Sequence, residues 1–120
     1  MNAARKPCIL VAEDETLLAM MLEDRLEALG YTVLKAARLQ RGLELAESEP
    51  IDVAILDINL AGHESFPIAA ILRRRGIPLL FSSGYGTGGL PTDWSSEIVL
   101  QKPYDGGQLI AALKALLREG

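Results

Sequence analysis

The sequence predicts a single α/β domain with a doubly wound, five-stranded parallel sheet. Short apolar segments alternate with longer segments of helical periodicity along the chain. The apolar segments are hydrophobic at nearly every position, which is typical of strands buried on both faces. Strands that alternate with helices in this way favour a parallel sheet covered by helices on both sides. The length of 120 residues fits one domain, so we expect residues 1–120 to form one unit.

Five apolar segments supply the expected strands, and each is followed by polar or charged residues. The segments are 8–12, 31–34, 53–56, 78–81 and 98–100. β-branched or aromatic residues, which favour strands, occur in all of them. The residues that follow these segments therefore mark the C-terminal edge of the sheet.

Helical periodicity fills the intervals between the strands. The first helix is expected over 16–29, with leucines on one face and Gly30 as its C-terminal stop. We expect Met20 and Met21 to pack within this helix. The second helix is expected over 39–46.

The second half of the chain should contain a regular helix, an irregular segment and a final helix. Ser65 is placed to cap the third helix, which ends in three arginines, 73–75. The last helix carries Leu109 and Leu113 on one side. Between residues 84 and 96, four glycines and a proline interrupt the helical pattern. We therefore expect the fourth helix to be short or degenerate.

Composition excludes several classes of function. A net charge of −4 gives no basic surface for nucleic acid. One cysteine cannot form an internal disulfide, which fits a reducing cytoplasm, and one histidine and one cysteine are too few for a typical zinc site. The apolar segments are too short to span a bilayer. We therefore expect a cytoplasmic protein that neither inserts into a membrane nor binds nucleic acid.

Polar side chains follow four of the five strands. Glu13 and Asp14 follow the first strand, and Asp57 follows the third. Ser83 lies at the end of the fourth strand and Lys102 at the end of the fifth. In open parallel α/β sheets, ligands bind beyond the C-terminal ends of the strands. We therefore expect three carboxylates, a hydroxyl and an ammonium group to converge at one edge.

This set of groups suits phosphoryl transfer. Clustered carboxylates repel one another unless a cation lies among them, and oxygen ligands favour Mg²⁺, with Mn²⁺ as a substitute. A carboxylate beside such an ion can act as a nucleophile toward phosphorus and form an aspartyl phosphate. The ion, Lys102 and Ser83 would then stabilise the charge on the phosphoryl oxygens.

The ordered set resembles the receiver domains of bacterial two-component systems. It consists of Glu13-Asp14, Asp57, Ser83 and Lys102-Pro103. The resemblance implies the flavodoxin-like receiver fold with strand order 2-1-3-4-5. It also implies a stand-alone receiver that takes a phosphoryl group from a sensor histidine kinase or a histidine phosphotransfer protein. Signalling would then occur through contact with a further protein.

The resemblance assigns metal and acceptor roles to individual positions. Asp57 would be the phosphoacceptor. Asp14 would bind the metal directly, and Glu13 would bind it through a water molecule. The backbone carbonyl of Asn59 would complete the protein's share of the metal shell.

Other positions are implied to contact or influence the phosphoryl group. Ser83 would hydrogen bond to a phosphoryl oxygen, and Lys102 would pair with the group. The bond between Lys102 and Pro103 is usually cis in this family. The side chains of Asn59 and Tyr85 occupy positions that tune dephosphorylation in relatives.

The sequence departs from the family pattern at Val99. The family usually has tyrosine or phenylalanine here, and that ring turns inward on activation. A β-branched aliphatic side chain cannot act as the same switch. We hypothesise instead that the glycine-rich segment 84–96 changes its order on phosphorylation.

Two other functions are compatible with parts of this pattern. A small phosphatase with an aspartyl nucleophile would need a second acid two residues after Asp57, where the sequence has Asn59. A pseudo-receiver that binds partners without phosphorylation usually lacks the acceptor, an acid or the lysine. All of these are present here, so the phosphoacceptor function is preferred.

Overall fold

The computed structural model describes residues 6–84 and 90–119. Within these residues, five strands form a parallel sheet, two short strands form a separate hairpin, and four helices cover the sheet. The strands are β1 (Cys8–Ala12), β2 (Thr32–Ala36), β3 (Val53–Asp57), β4 (Asn59–Leu60), β5 (His63–Glu64), β6 (Leu79–Ser83) and β7 (Ile98–Gln101). The helices are α1 (Thr16–Ala28), α2 (Leu39–Ser48), α3 (Phe66–Arg74) and α4 (Gly106–Glu119).

The order of the main sheet is β2-β1-β3-β6-β7, and neighbouring strands are parallel. This confirms the predicted order 2-1-3-4-5, because the hairpin of β4 and β5 lies outside the sheet. The three central strands β1, β3 and β6 are buried at every position. Their continuous apolar sequences predict this burial on both faces.

Two hydrophobic layers enclose the sheet. On one face, α2 and α3 pack through residues such as Leu45 and Leu72. On the other face, α1 and α4 pack through residues such as Leu26 and Leu113. No helix in the described part of the chain is both long and apolar enough to cross a membrane.

The helices α2 and α3 are held together by close packing and by arginine side chains. A Cβ atom at Gly42 would overlap the side chain of Ile68, so glycine permits the close approach of α2. Arg74 pairs with Glu47 at 3.2 Å. The Arg75 guanidinium donates to two backbone carbonyls at the C-terminal end of α2. The arginine-rich end of α3 is therefore exposed to solvent and also contacts α2.

Gly30 ends α1 as predicted, whereas Ser65 does not cap α3 with its side chain. Gly30 has a φ of 97°, and its amide donates to the carbonyl of Glu27 at 3.0 Å, as expected for a C′ glycine. Ser65 precedes α3, but its ψ of 5° lies outside the extended conformation of a typical N-cap. The buried Ser65 hydroxyl has no hydrogen-bond partner among the described residues. The predicted side-chain cap was therefore wrong.

The predicted packing of Met20 and Met21 was also wrong. These side chains are 50% and 56% exposed. The sheet-facing side of α1 is formed by Ala19, Leu22 and Leu26. Helical geometry then turns positions 20 and 21 away from the sheet.

The segment before β7 contains a short 3-10 turn, Thr92–Trp94, in place of a fourth regular helix. Trp94 is buried, and its ring stacks on Phe66 with centroids 6.1 Å apart. The Arg73 guanidinium lies 3.8 Å from the Trp94 ring centroid. The prediction of a short or degenerate helix is confirmed for the described part of this segment; residues 85–89 lie outside the described residues.

Candidate functional site

The acidic residues at the ends of β1 and β3 lie together. Ala12 and Leu56 are paired in these neighbouring parallel strands, so the residues that follow them emerge side by side. Those residues are Glu13 and Asp57. Carboxylate oxygens of Glu13, Asp14 and Asp57 all lie within 4.8 Å of one another. Glu13 is 3% exposed and Asp57 is 6% exposed, so their charges are poorly screened by water.

Lys102 brings a positive charge into this cluster from the end of β7. Its Nζ lies 2.9 Å from Glu13 Oε1 and 2.9 Å from Asp57 Oδ2. Its backbone amide donates to the Ser83 carbonyl at 2.8 Å, which joins the ends of β6 and β7. The ammonium group therefore bridges carboxylates that come from two other strands.

Burial and ion pairing shift the pKa values of Glu13 and Lys102. Burial raises the pKa of the Glu13 carboxyl and Asp57 adds to this rise, while the Glu15 amide and Lys102 oppose it. Burial lowers the pKa of Lys102, but hydrogen bonds to Asp57 and Glu13 outweigh it and leave this pKa raised. Lys102 therefore provides a permanent positive charge at physiological pH.

Asp14 contacts the tip of the β4–β5 hairpin. Its Oδ2 accepts a hydrogen bond from the Ala61 amide at 2.9 Å. Ala61 and Gly62 have φ values of 51° and 92°, which fit the two central residues of a type I′ turn. The Asn59 side-chain oxygen accepts from the Gly62 amide at 2.8 Å. The hairpin therefore holds both Asp14 and the Asn59 side chain in place.

The hairpin geometry leaves the Asn59 backbone carbonyl outside the ladder of hydrogen bonds. The Ser65 amide donates to the Ile58 carbonyl at 2.9 Å. Antiparallel ladders alternate between bonded and non-bonded pairs, so the next pair, Asn59 and Glu64, is a non-bonded one. The Asn59 carbonyl therefore takes no part in the hydrogen-bond ladder between β4 and β5.

The donor set suits a hard divalent cation. Three carboxylates and one carbonyl offer oxygen atoms, the ligand type that Mg²⁺ prefers. Lys102 balances one of the three carboxylate charges, so two negative charges remain. A divalent cation would neutralise them.

The structure also describes three of the four other predicted site positions. Ser83 ends β6 and is 5% exposed. Val99 packs against the hydrophobic layer that contains Trp94. The peptide bond between Lys102 and Pro103 is cis. Tyr85 lies outside the described residues.

Comparison with known protein families shows to which family the chain belongs. The model of the response regulator receiver domain matches residues 9–114. The chain belongs to this receiver domain family.

Relatives of this receiver domain include regulators about twice its length and solved chains of similar length. The transcriptional activator protein IrlR of Burkholderia pseudomallei is 33% identical over 93% of this chain and 51% of its own length. The chain thus spans about half the length of the curated relatives it matches. The solution structure of SdrG from Sphingomonas melonis Fr1 is 39% identical, with a TM-score of 0.79 over 96% of this chain and 98% of SdrG. The BeF3-activated conformation of SdrG is 41% identical, with a TM-score of 0.76 over 92% of this chain and 95% of that one.

Family membership establishes the general function. Receiver domains of response regulators are phosphoacceptors in two-component signalling, and histidine kinases phosphorylate them. The predicted phosphoacceptor signalling function is therefore confirmed at the level of the family.

Three features of the structure were not predicted from the sequence. They are the bond between Asp14 and Ala61, the contact between Arg73 and Trp94, and the buried hydroxyl of Tyr104. Only the bond between Asp14 and Ala61 had a signal in the local sequence, because Gly62 in the second position of the turn favours a tight hairpin. The other two depend on contacts between elements, which sequence spacing does not specify.

Proposed function

We propose that Asp57 of this receiver accepts a phosphoryl group from a phosphohistidine on a histidine kinase or histidine phosphotransfer protein. The observation that carries the proposal is the meeting of Asp57, two further carboxylates and Lys102 at one edge of the sheet. In the reaction, an Asp57 carboxylate oxygen forms a bond to phosphorus. The bond between phosphorus and the imidazole nitrogen breaks, and that nitrogen keeps the electron pair.

Mg²⁺, or Mn²⁺ in its place, would be held by Asp14, Asp57 and the Asn59 carbonyl, with Glu13 acting through a water molecule. The ion supplies positive charge for the phosphoryl oxygens. The hairpin supports this role because it binds Asp14 through the Ala61 amide and leaves the Asn59 carbonyl outside its own hydrogen-bond ladder.

Lys102 and Ser83 would bind the phosphoryl oxygens. Lys102 Nζ already lies 2.9 Å from the acceptor carboxylate, so a phosphoryl group on Asp57 would have its oxygens within reach. The Ser83 backbone carbonyl accepts a hydrogen bond from the Lys102 amide, so the two residues lie at the same edge of the sheet. Tyr85 and the Asn59 side chain would affect hydrolysis of the aspartyl phosphate. Val99 and Pro103 would influence the position of Lys102.

Asn59 favours a signalling phosphoacceptor over an aspartyl phosphatase. Its amide cannot exchange a proton as a general acid or base does. Its oxygen is already bonded to the Gly62 amide. We therefore infer only slow loss of the phosphoryl group from Asp57, with output through a protein contact.

The test is incubation with acetyl phosphate, or with phosphoramidate, followed by intact mass spectrometry. We expect the mass of one added phosphoryl group in the presence of Mg²⁺ and none with a chelator. Asp57→Asn should remain unmodified, whereas Asp24→Asn, which changes an exposed aspartate on α1, should react like the wild type. Equal incorporation into Asp57→Asn, or no metal-dependent incorporation from either donor, would contradict the proposal.

A further inference from the structure

The backbone amide of Ala61 ties one oxygen of Asp14 to the hairpin of β4 and β5. Asp14 Oδ2 accepts this hydrogen bond at 2.9 Å, and Asp14 has no other hydrogen-bond partner among the described residues. A carboxylate has two oxygens, so within this part of the chain Oδ1 is left for a ligand. The hairpin therefore limits Asp14 to one ligand oxygen unless the bond to Ala61 breaks.

The other two carboxylates of the cluster are restricted in the same way. Lys102 Nζ lies 2.9 Å from Asp57 Oδ2, which leaves Oδ1 of that carboxylate. Both oxygens of Glu13 have donors, Lys102 at 2.9 Å from Oε1 and the Glu15 amide at 3.0 Å from Oε2. Asp14 and Asp57 can thus each offer one oxygen to a cation, and neither can offer both without losing a hydrogen bond.

The hairpin that carries the Ala61 amide is anchored on both sides of its turn. Leu60, just before the turn, is fully buried in the hydrophobic layer beneath α2 and α3. The Gly62 amide donates to the Asn59 side chain at 2.8 Å. The turn also depends on Gly62, because its φ of 92° is strained for any residue with a side chain. The position of the Ala61 amide is therefore set by the sequence of the hairpin.

Mg²⁺ and Ca²⁺ differ in how they use carboxylates. Mg²⁺ requires a strict octahedron of about six oxygens and is usually held by one or two carboxylates together with water or phosphate oxygens. Ca²⁺ accepts up to about eight oxygens, and it often binds both oxygens of one carboxylate. Single carboxylate oxygens therefore suffice for Mg²⁺, whereas Ca²⁺ can gain a further oxygen from Asp14 only when the bond to Ala61 is broken.

We propose that the Ala61 amide makes the acidic cluster selective for Mg²⁺ over Ca²⁺ by holding Asp14 to a single ligand oxygen. Ala61 is thus a positioning residue that acts through Asp14 and is not itself a ligand. This role rests on the function proposed above, because it requires that the cluster holds the divalent cation of phosphoryl transfer.

The test measures the dissociation constants of Mg²⁺ and Ca²⁺ by thermal unfolding against the concentration of each cation. We expect the wild type to bind Mg²⁺ more tightly than Ca²⁺. Gly62→Val strains the turn through its φ of 92°, although a Cβ atom there meets nothing within 4 Å. We expect this variant to lower the ratio of the Ca²⁺ to the Mg²⁺ dissociation constant about fivefold, a factor typical of one hydrogen bond.

Ala61→Pro is the second variant, because proline has no backbone N–H to donate to Asp14. It should lower the ratio in the same direction and keeps the proposal testable if Gly62→Val does not fold. Using a ratio also removes any loss of affinity that is common to both cations. The thermal unfolding of each variant is compared with that of the same variant without a cation.

Gly30→Val is the matched control. Gly30 has a φ of 97°, a Cβ atom there also meets nothing within 4 Å, and it precedes β2 at the opposite edge of the sheet. Its ratio should equal that of the wild type. An unchanged ratio in a folded hairpin variant, an equal fall in Gly30→Val, or tighter binding of Ca²⁺ than of Mg²⁺ by the wild type would overturn the role of Ala61.

The wild type also separates this proposal from the function on which it rests. Stabilisation by both cations with an unchanged ratio in the hairpin variants would overturn only the role of Ala61. Absence of stabilisation by either cation would contradict the metal site of the proposed function, and the role of Ala61 with it.

Discussion

At the scale of residues, Lys102 allows two buried carboxylates to lie close together in the site. Its ammonium group contacts Glu13 and Asp57 at 2.9 Å each, and both carboxylates are nearly inaccessible to water. Buried charges of like sign repel strongly unless an opposite charge or a metal lies among them. Lys102 therefore stabilises the fold in addition to its proposed role in binding the phosphoryl group.

Replacing Lys102 with methionine should destabilise the protein at neutral pH. The change leaves two buried carboxylates without their cation, and we expect a loss of about 2–3 kcal/mol in the free energy of unfolding. Urea titration of Lys102→Met measures this loss. Lys114→Met is the control, because Lys114 is exposed on α4, and its effect should stay within about 0.5 kcal/mol. Equal stability of the two variants would contradict the structural role of Lys102.

The loss in Lys102→Met should decrease as the pH is lowered. Burial already raises the pKa of Glu13, and removal of Lys102 raises it further because Lys102 opposes that rise. A carboxyl whose pKa is higher in the folded than in the unfolded state binds protons preferentially when folded. The variant therefore gains stability relative to the wild type as the pH falls through the raised pKa toward the ordinary value of about 4. Urea titrations across this range test the sign, and a loss that grows at low pH would contradict it.

At the scale of elements, the segment before β7 is anchored by side chains instead of a regular helix. Trp94 fills the space between Phe66 and Phe81, and Arg73 covers the remaining part of its ring. Arg73 also donates to the Asp93 carbonyl and pairs with Glu97 at 2.7 Å. The end of α3 thus fixes the position of this segment.

Arg73→Met should weaken this anchor measurably. We expect a loss of about 1–2 kcal/mol in the free energy of unfolding, because a cation–π contact and an ion pair are removed together. Arg41→Met is the control, since Arg41 pairs with Glu44 at 3.4 Å on an exposed helix surface. Its effect should be a few tenths of a kcal/mol. Urea unfolding followed by Trp94 fluorescence measures both variants, and equal losses would contradict the anchoring role of Arg73.

The same segment offers a test of the switch hypothesis that Val99 prompted. If the glycine-rich segment changes its order on phosphorylation, amide exchange between residues 84 and 96 should differ with and without beryllofluoride. The comparison is made by hydrogen–deuterium exchange and mass spectrometry at saturating Mg²⁺. Identical exchange in the two states would contradict the hypothesis.

The elements of this fold differ in how well the sequence predicts them. β1, β3 and β6 could be predicted because strands buried on both faces are continuously apolar. Strands of two residues such as β4 and β5 are too short to show any periodicity, so the hairpin was missed. The convergence of Glu13, Asp57 and Lys102 follows from the common edge of parallel strands. Their pairing distances, and the hydroxyl of Tyr104, depend on side-chain packing that the sequence pattern does not contain.

At the scale of the whole molecule, folding and metal binding should be coupled. The acidic cluster joins residues from β1 and β3 and contacts the hairpin, so an ion bound there would link several elements. A ligand that binds only the folded state raises its stability in proportion to the logarithm of ligand concentration.

Mg²⁺ should therefore raise the melting temperature of the wild type. At a concentration about one hundred times the dissociation constant, we expect a gain of about 2.7 kcal/mol. Asp14→Asn should lose most of this gain, because it removes one carboxylate of the cluster. Glu15→Gln is the matched control, since this neighbouring acid is exposed and lies outside the cluster, and it should respond like the wild type. Thermal unfolding against Mg²⁺ concentration measures the effect, and equal responses of Asp14→Asn and Glu15→Gln would contradict the metal site.

The most direct measurement is to locate the phosphoryl group in the chain. The protein is phosphorylated with acetyl phosphate and Mg²⁺, and borohydride then reduces the aspartyl phosphate to homoserine before digestion with trypsin. The peptide of residues 42–73 contains both Asp57 and Asp52, and fragmentation in the mass spectrometer distinguishes them. We predict homoserine at position 57. Homoserine at position 52, or at position 14 in another peptide, would contradict the assignment of Asp57 as the phosphoacceptor.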